Sequence, residues 1–195
     1  LHIALRPMSI EASFELARAV LGDQAEEPLI AELVARAGGN VFFLEELLRH
    51  SVTGATSSAD TPLTIVQSRL EALAPEERRF LRAASVFGVR AWLGGVAALS
   101  GTSMPDAEAL LEDLAGAELV QEALASRFTG ERELVFRHEL LRDAAYEMLT
   151  GDDRRLGHQL ASAWLEAAGE QDPQVLAEHL ERGADDDEAL LRAAE

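Results

Sequence analysis

The sequence predicts a mainly α-helical protein with one small β-hairpin. Three observations predict it. Apolar residues recur at three- and four-residue spacing along most of the chain. Ser, Thr, Asn or Pro precede these runs and Gly often follows them, as helix starts and stops require. Two short stretches, Glu118–Leu124 and Glu133–Arg137, carry β-type patterning instead.

The elements follow in order. Leu1–Met8 is short and apolar, and is expected to be a strand cut from a sheet upstream. Ser9 is placed to cap a helix whose apolar stripe is Phe14, Leu16, Ala17, Val20 and Leu21, with Gly22 ending it. Pro28 opens a second helix through Leu29, Ile30, Leu33 and Val34, and Gly38-Gly39 stops it. Asn40 caps a third helix, with Phe42, Phe43, Leu44, Leu47 and Leu48 mostly inward. Val52–Asp60 is small, polar and without apolar period, so the first boundary falls there. The domains expected are 1–60, 61–150 and 151–195.

In the second segment Thr64 is expected to cap a helix over Ile65, Val66, Leu70 and Leu73. Pro75 starts the next, with Phe80, Leu81, Ala84 and Phe87 inside and Gly88 at its end. Shorter helices follow over Trp92–Leu99 and from Ser103 through Leu114. The two β stretches then form a hairpin around Gly130. Three helices and a hairpin give the order of a winged helix. His138–Leu149 continues as a helix. In the third segment Leu156, Leu160 and Trp164 repeat at four-residue spacing, and Val175, Leu176, His179 and Leu180 follow. Asp185–Glu188 is an acidic cap for one more short helix, and the helix pairs suggest the start of a repeat array.

Composition excludes several chemistries. The 195 residues include 35 acids and 17 basic residues, a net charge of −18. Every basic residue is Arg, so P-loop, Schiff-base and nucleophilic lysines are ruled out within this chain. Without Cys there is no disulfide, thiolate metal site or cysteine nucleophile. No apolar run approaches the roughly 20 residues that span a bilayer. Leu1 is not an initiator Met and no signal peptide is evident, so the expectation is a cytoplasmic segment excised from a longer protein.

A winged helix suggests DNA, but the charge does not. The helix that would enter the major groove carries Asp106, Glu108, Glu112 and Asp113 and no Arg, whereas base edges and phosphates call for donors and cations. The five His residues are scattered and form no H-E-x-x-H; Glu46 and His50, four apart, read as an ordinary pair. Phe136–Tyr146 (FRHELLRDAAY) stands out. His138 sits where a strand hands over to a helix, and Arg137 and Arg142 lie close by. Physical chemistry leaves two readings open: a helix start with local salt bridges, or an anion site using His and Arg donors at a helix N-terminus.

The strings themselves carry a family likeness. GGNVFFLEELLRH resembles the G-N-P-F-F-L-E-E-L signature of the lid in AAA-like STAND ATPases, signal-transduction ATPases with numerous domains. IVQSRLEALAPEERRFLRAASVFG is similar to the run that opens their winged helix, and FRHELLRDAAYEML to the run that closes it. DDRRLGHQLASAWLE and VLAEHLERGADDDEALLRAAE resemble the entry to their TPR-like superhelix. The likeness covers nearly the whole chain, in order.

That resemblance implies a fold of helical lid bundle, winged helix and the start of a TPR-like array. It implies a regulatory fragment that couples ADP/ATP state, with Mg in the full-length parent, to domain rearrangement without catalysing hydrolysis itself. In the related NB-ARC class a Met-His-Asp motif contacts the β-phosphate of ADP. By resemblance His138 takes the His place, Arg137 the Met place and Glu139 the Asp place. In the lid motif Asn40 is retained, and Val41 stands where the family has a Pro near the adenine. The implied partners are an upstream P-loop core of the same chain and proteins bound through the TPR-like region, with no nucleic acid and no membrane. Two rival functions remain: a stand-alone helical interaction scaffold and a winged-helix DNA-binding regulator.

Overall fold

The computed structural model describes residues 7–22, 25–52 and 61–184. Among them ten helices and one three-stranded antiparallel sheet are formed, so the chain is mainly helical. The expected strand at Leu1–Met8 (but for its last two residues), most of the Val52–Asp60 linker and the Asp185–Glu188 cap lie outside the described residues. The chain divides into two compact units, 1–68 and 69–195. Residues 151–184, expected to begin a separate array, belong to the second unit.

The first unit packs α1 (Ile10–Leu21), α2 (Glu27–Ala37) and α3 (Val41–Val52) around Ala17, Ile30, Leu33, Leu44, Leu47 and Leu48. Ser9 accepts from the Ala12 N–H and Asn40 from the Phe43 N–H, so both expected caps are made. The Met8 N–H donates to Gly39 O at 2.9 Å, which pins the entering chain to the α2–α3 junction. Gly39 has φ +81, and a Cβ there would lie 2.9 Å from both Met8 O and Pro7 Cβ.

Helix α4 (Pro62–Glu71) starts one turn earlier than expected. Thr61, not Thr64, is the cap: Thr61 Oγ1 accepts from the Thr64 N–H while Thr64 Oγ1 accepts from the Thr61 N–H. Two Thr three apart satisfy each other's orphan amides, as a capping box does. Helix α5 (Pro75–Phe87) starts at the expected Pro and buries Phe80, Leu81 and Ala84.

A strand that periodicity missed follows: β1 (Arg90–Trp92), antiparallel to β3 (Glu133–Phe136). Three residues are too few to show a period. Strand β2 (Val120–Glu122) pairs with the other edge of β3, giving the order β1-β3-β2. Helices α6 (Leu93–Ser100) and α7 (Met104–Gly116) lie between β1 and β2 in the chain. Helix α8 (Glu139–Glu147) leaves β3 and packs on α5.

Helices α9 (Gly151–Ala168) and α10 (Pro173–Gly183) form a hairpin packed along α5 and α6. The inward face of α9 is His158, Ala161, Ser162 and Leu165; Leu156 is 56% exposed and Leu160 43%. The leucine repeat thus marks the helix but not its buried face. Trp92, Phe128 and Leu165 form a buried cluster, with Phe87, Trp164, Val175 and Leu176 packed against it.

The contrast at the two adjacent glycines gives a test. Gly39→Ala should cost about 2 kcal/mol or more, combining a left-handed backbone with steric overlap, whereas Gly38→Ala, in open space, should cost only about 1 kcal/mol. Denaturant unfolding of the two variants measures the gap, and equal losses would refute the steric part.

Candidate functional site

Arg137 and His138 occupy the turn between β3 and α8. Phe136 is buried, and its N–H donates to Val89 O at 2.9 Å, so the strand's end is fixed. The Arg137 N–H donates to Leu119 O at 3.1 Å. His138 is extended, with φ −147 and ψ 145, and is the N-cap of α8. Its Nδ1 accepts from the Leu140 N–H at 3.1 Å, and its carbonyl accepts from the Leu141 N–H at 3.0 Å.

The cap sets the polarity of the ring. With Nδ1 accepting, the neutral imidazole carries its proton on Nε2. His138 therefore carries its ring proton on the nitrogen away from the cap, at the residue that opens α8. Half-burial orients the ring without removing it from solvent.

The neighbouring cations are engaged with the fold. Arg137 pairs with Glu118 at 2.9 Å, both side chains nearly half exposed. Glu118 has φ +58, the one non-glycine residue among those described with a positive φ. Such a backbone costs about 1 kcal/mol. Arg142 Nε donates to Ser85 O on α5 at 3.1 Å, and its guanidinium lies 4.8 Å from the centre of the Tyr146 ring. Arg154 covers the same ring at 4.7 Å. Arg142 thus ties α8 to α5, and Arg137 ties the β3–α8 turn to Glu118.

Asn40 and Val41 lie in the first unit. The Asn40 carboxamide oxygen serves as the α3 cap, and Val41, 40% exposed, is the first residue of that helix. Immediately before them an apolar cleft of about 380 Å³ opens, lined by Met8, Ile10, Phe14, Val34, Gly38 and Gly39 among others. Its lining is mostly apolar and includes both glycines of the α2–α3 junction. Glu46, read as a pair with His50, is buried, with the Arg49 guanidinium 4.0 Å away.

Sequence inspection missed a second polar group in the second unit. Tyr146 Oη is 2.9 Å from His158 Nε2, and His158 Nδ1 is 2.9 Å from His179 Nδ1. This chain of hydrogen bonds runs from α8 through α9 to α10. Burial holds His158 down to about 4, helped by His179 and by Arg182 and Arg142; burial also lowers His179. The only trace in the sequence is a His at an inward helical position on each of two helices. Among the described residues no three His, Asp or Glu side chains gather as a metal site. No helix among them is long and apolar enough to cross a membrane.

No family model, curated protein or solved structure matches the chain.

Two substitutions separate cap from charge. His138→Ala should cost about 1 kcal/mol by loss of the α8 cap, and His138→Asn should restore most of it. Arg137→Ala should cost less than about 0.5 kcal/mol, since an exposed ion pair contributes little. Thermal unfolding ranks the three, and an Asn variant no better than Ala would show that capping is not the structural role.

Proposed function

We propose that this chain is the regulatory part of a STAND-type, ATP-dependent signalling or transcriptional regulator. In this reading the first unit contains the lid. The segment from α4 to α8, with its sheet, is the winged helix. The α9–α10 hairpin opens a TPR-like array. The chain has no P-loop lysine, and the parent's nucleotide-binding core supplies that chemistry. ADP, held by the core, gains a contact from His138 in the closed state. Exchange for ATP changes that contact and shifts the balance between two domain arrangements.

The observation that carries the reading is the polarity of His138. A phosphate oxygen accepts hydrogen bonds, and the α8 cap makes Nε2 a donor. Arg137 lies next to it, paired with an exposed acid that an arriving anion can displace. Val41 gives an apolar contact where the family has Pro.

One observation favours the rival scaffold reading. Leu156 and Leu160 stand exposed on α9 beside Val86, Leu99 and Leu149, around a cleft of about 300 Å³. A helix of a partner protein fits such a surface. DNA binding gains nothing, because α7 presents acids and no Arg.

The test uses the complete reading frame. A G-x-x-x-x-G-K-S/T segment is expected upstream, and ADP binding is measured by fluorescence of a labelled analogue. His138→Ser keeps a capping oxygen and is too short to replace the Nε2 donor. It should weaken ADP binding at least about tenfold, the value of one charge-assisted hydrogen bond. Unchanged affinity in that variant, or a frame with no such upstream segment, would overturn the proposal in favour of the scaffold.

A further inference from the structure

We propose that His158 and His179 form a proton-sensitive clasp that holds α10 on α9 and opens it as the solution is acidified. This inference is independent of the nucleotide reading. It rests on the geometry of two buried imidazoles, His158 1% exposed and His179 6%, whose Nδ1 atoms are 2.9 Å apart.

A hydrogen bond between two Nδ1 atoms needs one proton, with one ring donating and the other accepting. His158 also meets the Tyr146 hydroxyl through Nε2, so its two nitrogens are both used. A first extra proton places a cation in a buried site. A second sets N–H against N–H across 2.9 Å, and the bond is lost.

The surroundings oppose the cation. From α8, Arg142 repels it and Tyr146 offers only a neutral hydroxyl. From α9, Arg154 lies over the Tyr146 ring and pairs with Glu147. From α10, Arg182 repels both imidazoles, while Glu178 favours a charged His179 but is itself bonded to Arg182 at 2.6 Å. Helix α5 contributes the Phe87 ring, 6.3 Å from His179, and α6 has no titratable residue.

The direction of the effect follows from linkage. An imidazole in the open state has its ordinary value of 6.5, and His158 in the closed state is held near 4. The open state therefore binds more protons throughout that interval. The clasp is at full strength above pH 6.5 and weakens as the pH falls towards 4, with the opening constant rising up to about tenfold per pH unit per imidazole.

The edge position of α10 makes the opening local. The turn before it stays anchored, because Glu170 accepts from Arg127 at 2.6 Å and from the Asp172 N–H at 2.8 Å. Towards its far end Gly183, buried against Gln159 and Arg155 of α9, accepts from Gln159 Nε2 at 2.7 Å. Protonation thus frees the middle of α10 and swings it about the Glu170 turn.

Hydrogen–deuterium exchange on the whole chain tests this, with rates corrected for intrinsic pH dependence. Between pH 7.5 and 5.5, α10 amides should lose at least tenfold protection while α6 amides change less than twofold. Equal loss in both helices would mean general acid unfolding and would overturn the clasp, as would no loss in either. In His179→Leu the pH dependence of α10 protection should fall to that of His158 alone; if it is undiminished, the clasp is wrong. Should that variant fail to fold, imidazole proton resonances of the wild-type chain decide. Titration of both rings well below pH 6.5 supports the clasp, and a midpoint at or above 6.5 for either ring overturns it.

Discussion

Four aromatic rings from four separated parts of the chain must meet for the second unit to exist. Phe87 ends α5, Trp92 ends β1, Phe128 comes from the hairpin loop and Trp164 from α9. Trp92 lies 4.7 Å from Phe128 and 6.0 Å from Trp164, and Phe87 lies 5.7 Å from Trp164. Such pairs each add about 0.5–1.5 kcal/mol beyond the burial of their surface. Because no two of them share an element, the cluster couples the sheet, the loop and the helical hairpin. Gly95 shows how close the approach is: a Cβ there would lie 2.7 Å from Phe87, so α6 can lie against the rings only with glycine at that point.

Charge closes the rim of the same cluster. Glu133 is buried; burial alone would raise its carboxyl, but the Arg127 N–H and the Arg90 guanidinium outweigh it and hold it below the usual range. Arg127 also reaches Glu170, whose side chain has no exposed surface. One arginine therefore binds the sheet to the α9–α10 turn, through its backbone on one side and its guanidinium on the other. A buried carboxylate is costly unless it is paired, so these bonds fix geometry more than they add stability. In a chain of net charge −18, placing two acids inside also removes them from mutual repulsion on the surface.

Helix ends were legible in the sequence; faces and small strands were less so. Ser9 and Asn40 cap where the sequence placed caps, and Ser103 and His138 cap at helix starts the sequence located, because capping is a local exchange between a side chain and amides two or three residues on. Thr64 misled because Thr61 has the same chemistry three residues earlier. Strand β1 was hidden because its pairing partner is more than 40 residues away and it spans only Arg90–Trp92. On α9 the leucines suggested one face, and the fold buries another that includes two polar residues, His158 and Ser162. Hydrophobic periodicity cannot find a buried histidine, since its partners come from other helices. Of the candidate site, the residue types and the turn were readable. The engagement of Arg137 with Glu118 and of Arg142 with α5 needed coordinates.

The histidines sit in two different settings on one scaffold, and the two proposed roles rest on that difference. His138 is half-buried at a helix start, and a single backbone bond fixes which nitrogen carries its proton. The proposed contact with a phosphate depends on that orientation and on the ring being only half-buried. His158 and His179 are enclosed, and their bonds run to each other and to Tyr146. Burial removes any contact with a ligand but makes their protonation a property of the packing. Both roles arise from the same constraint: the residue on the other side of each Nδ1 atom. An amide there gives a fixed donor at Nε2, which suits recognition of an anion. A second imidazole there gives a bond that survives only while the proton count is low, which suits a response to acid.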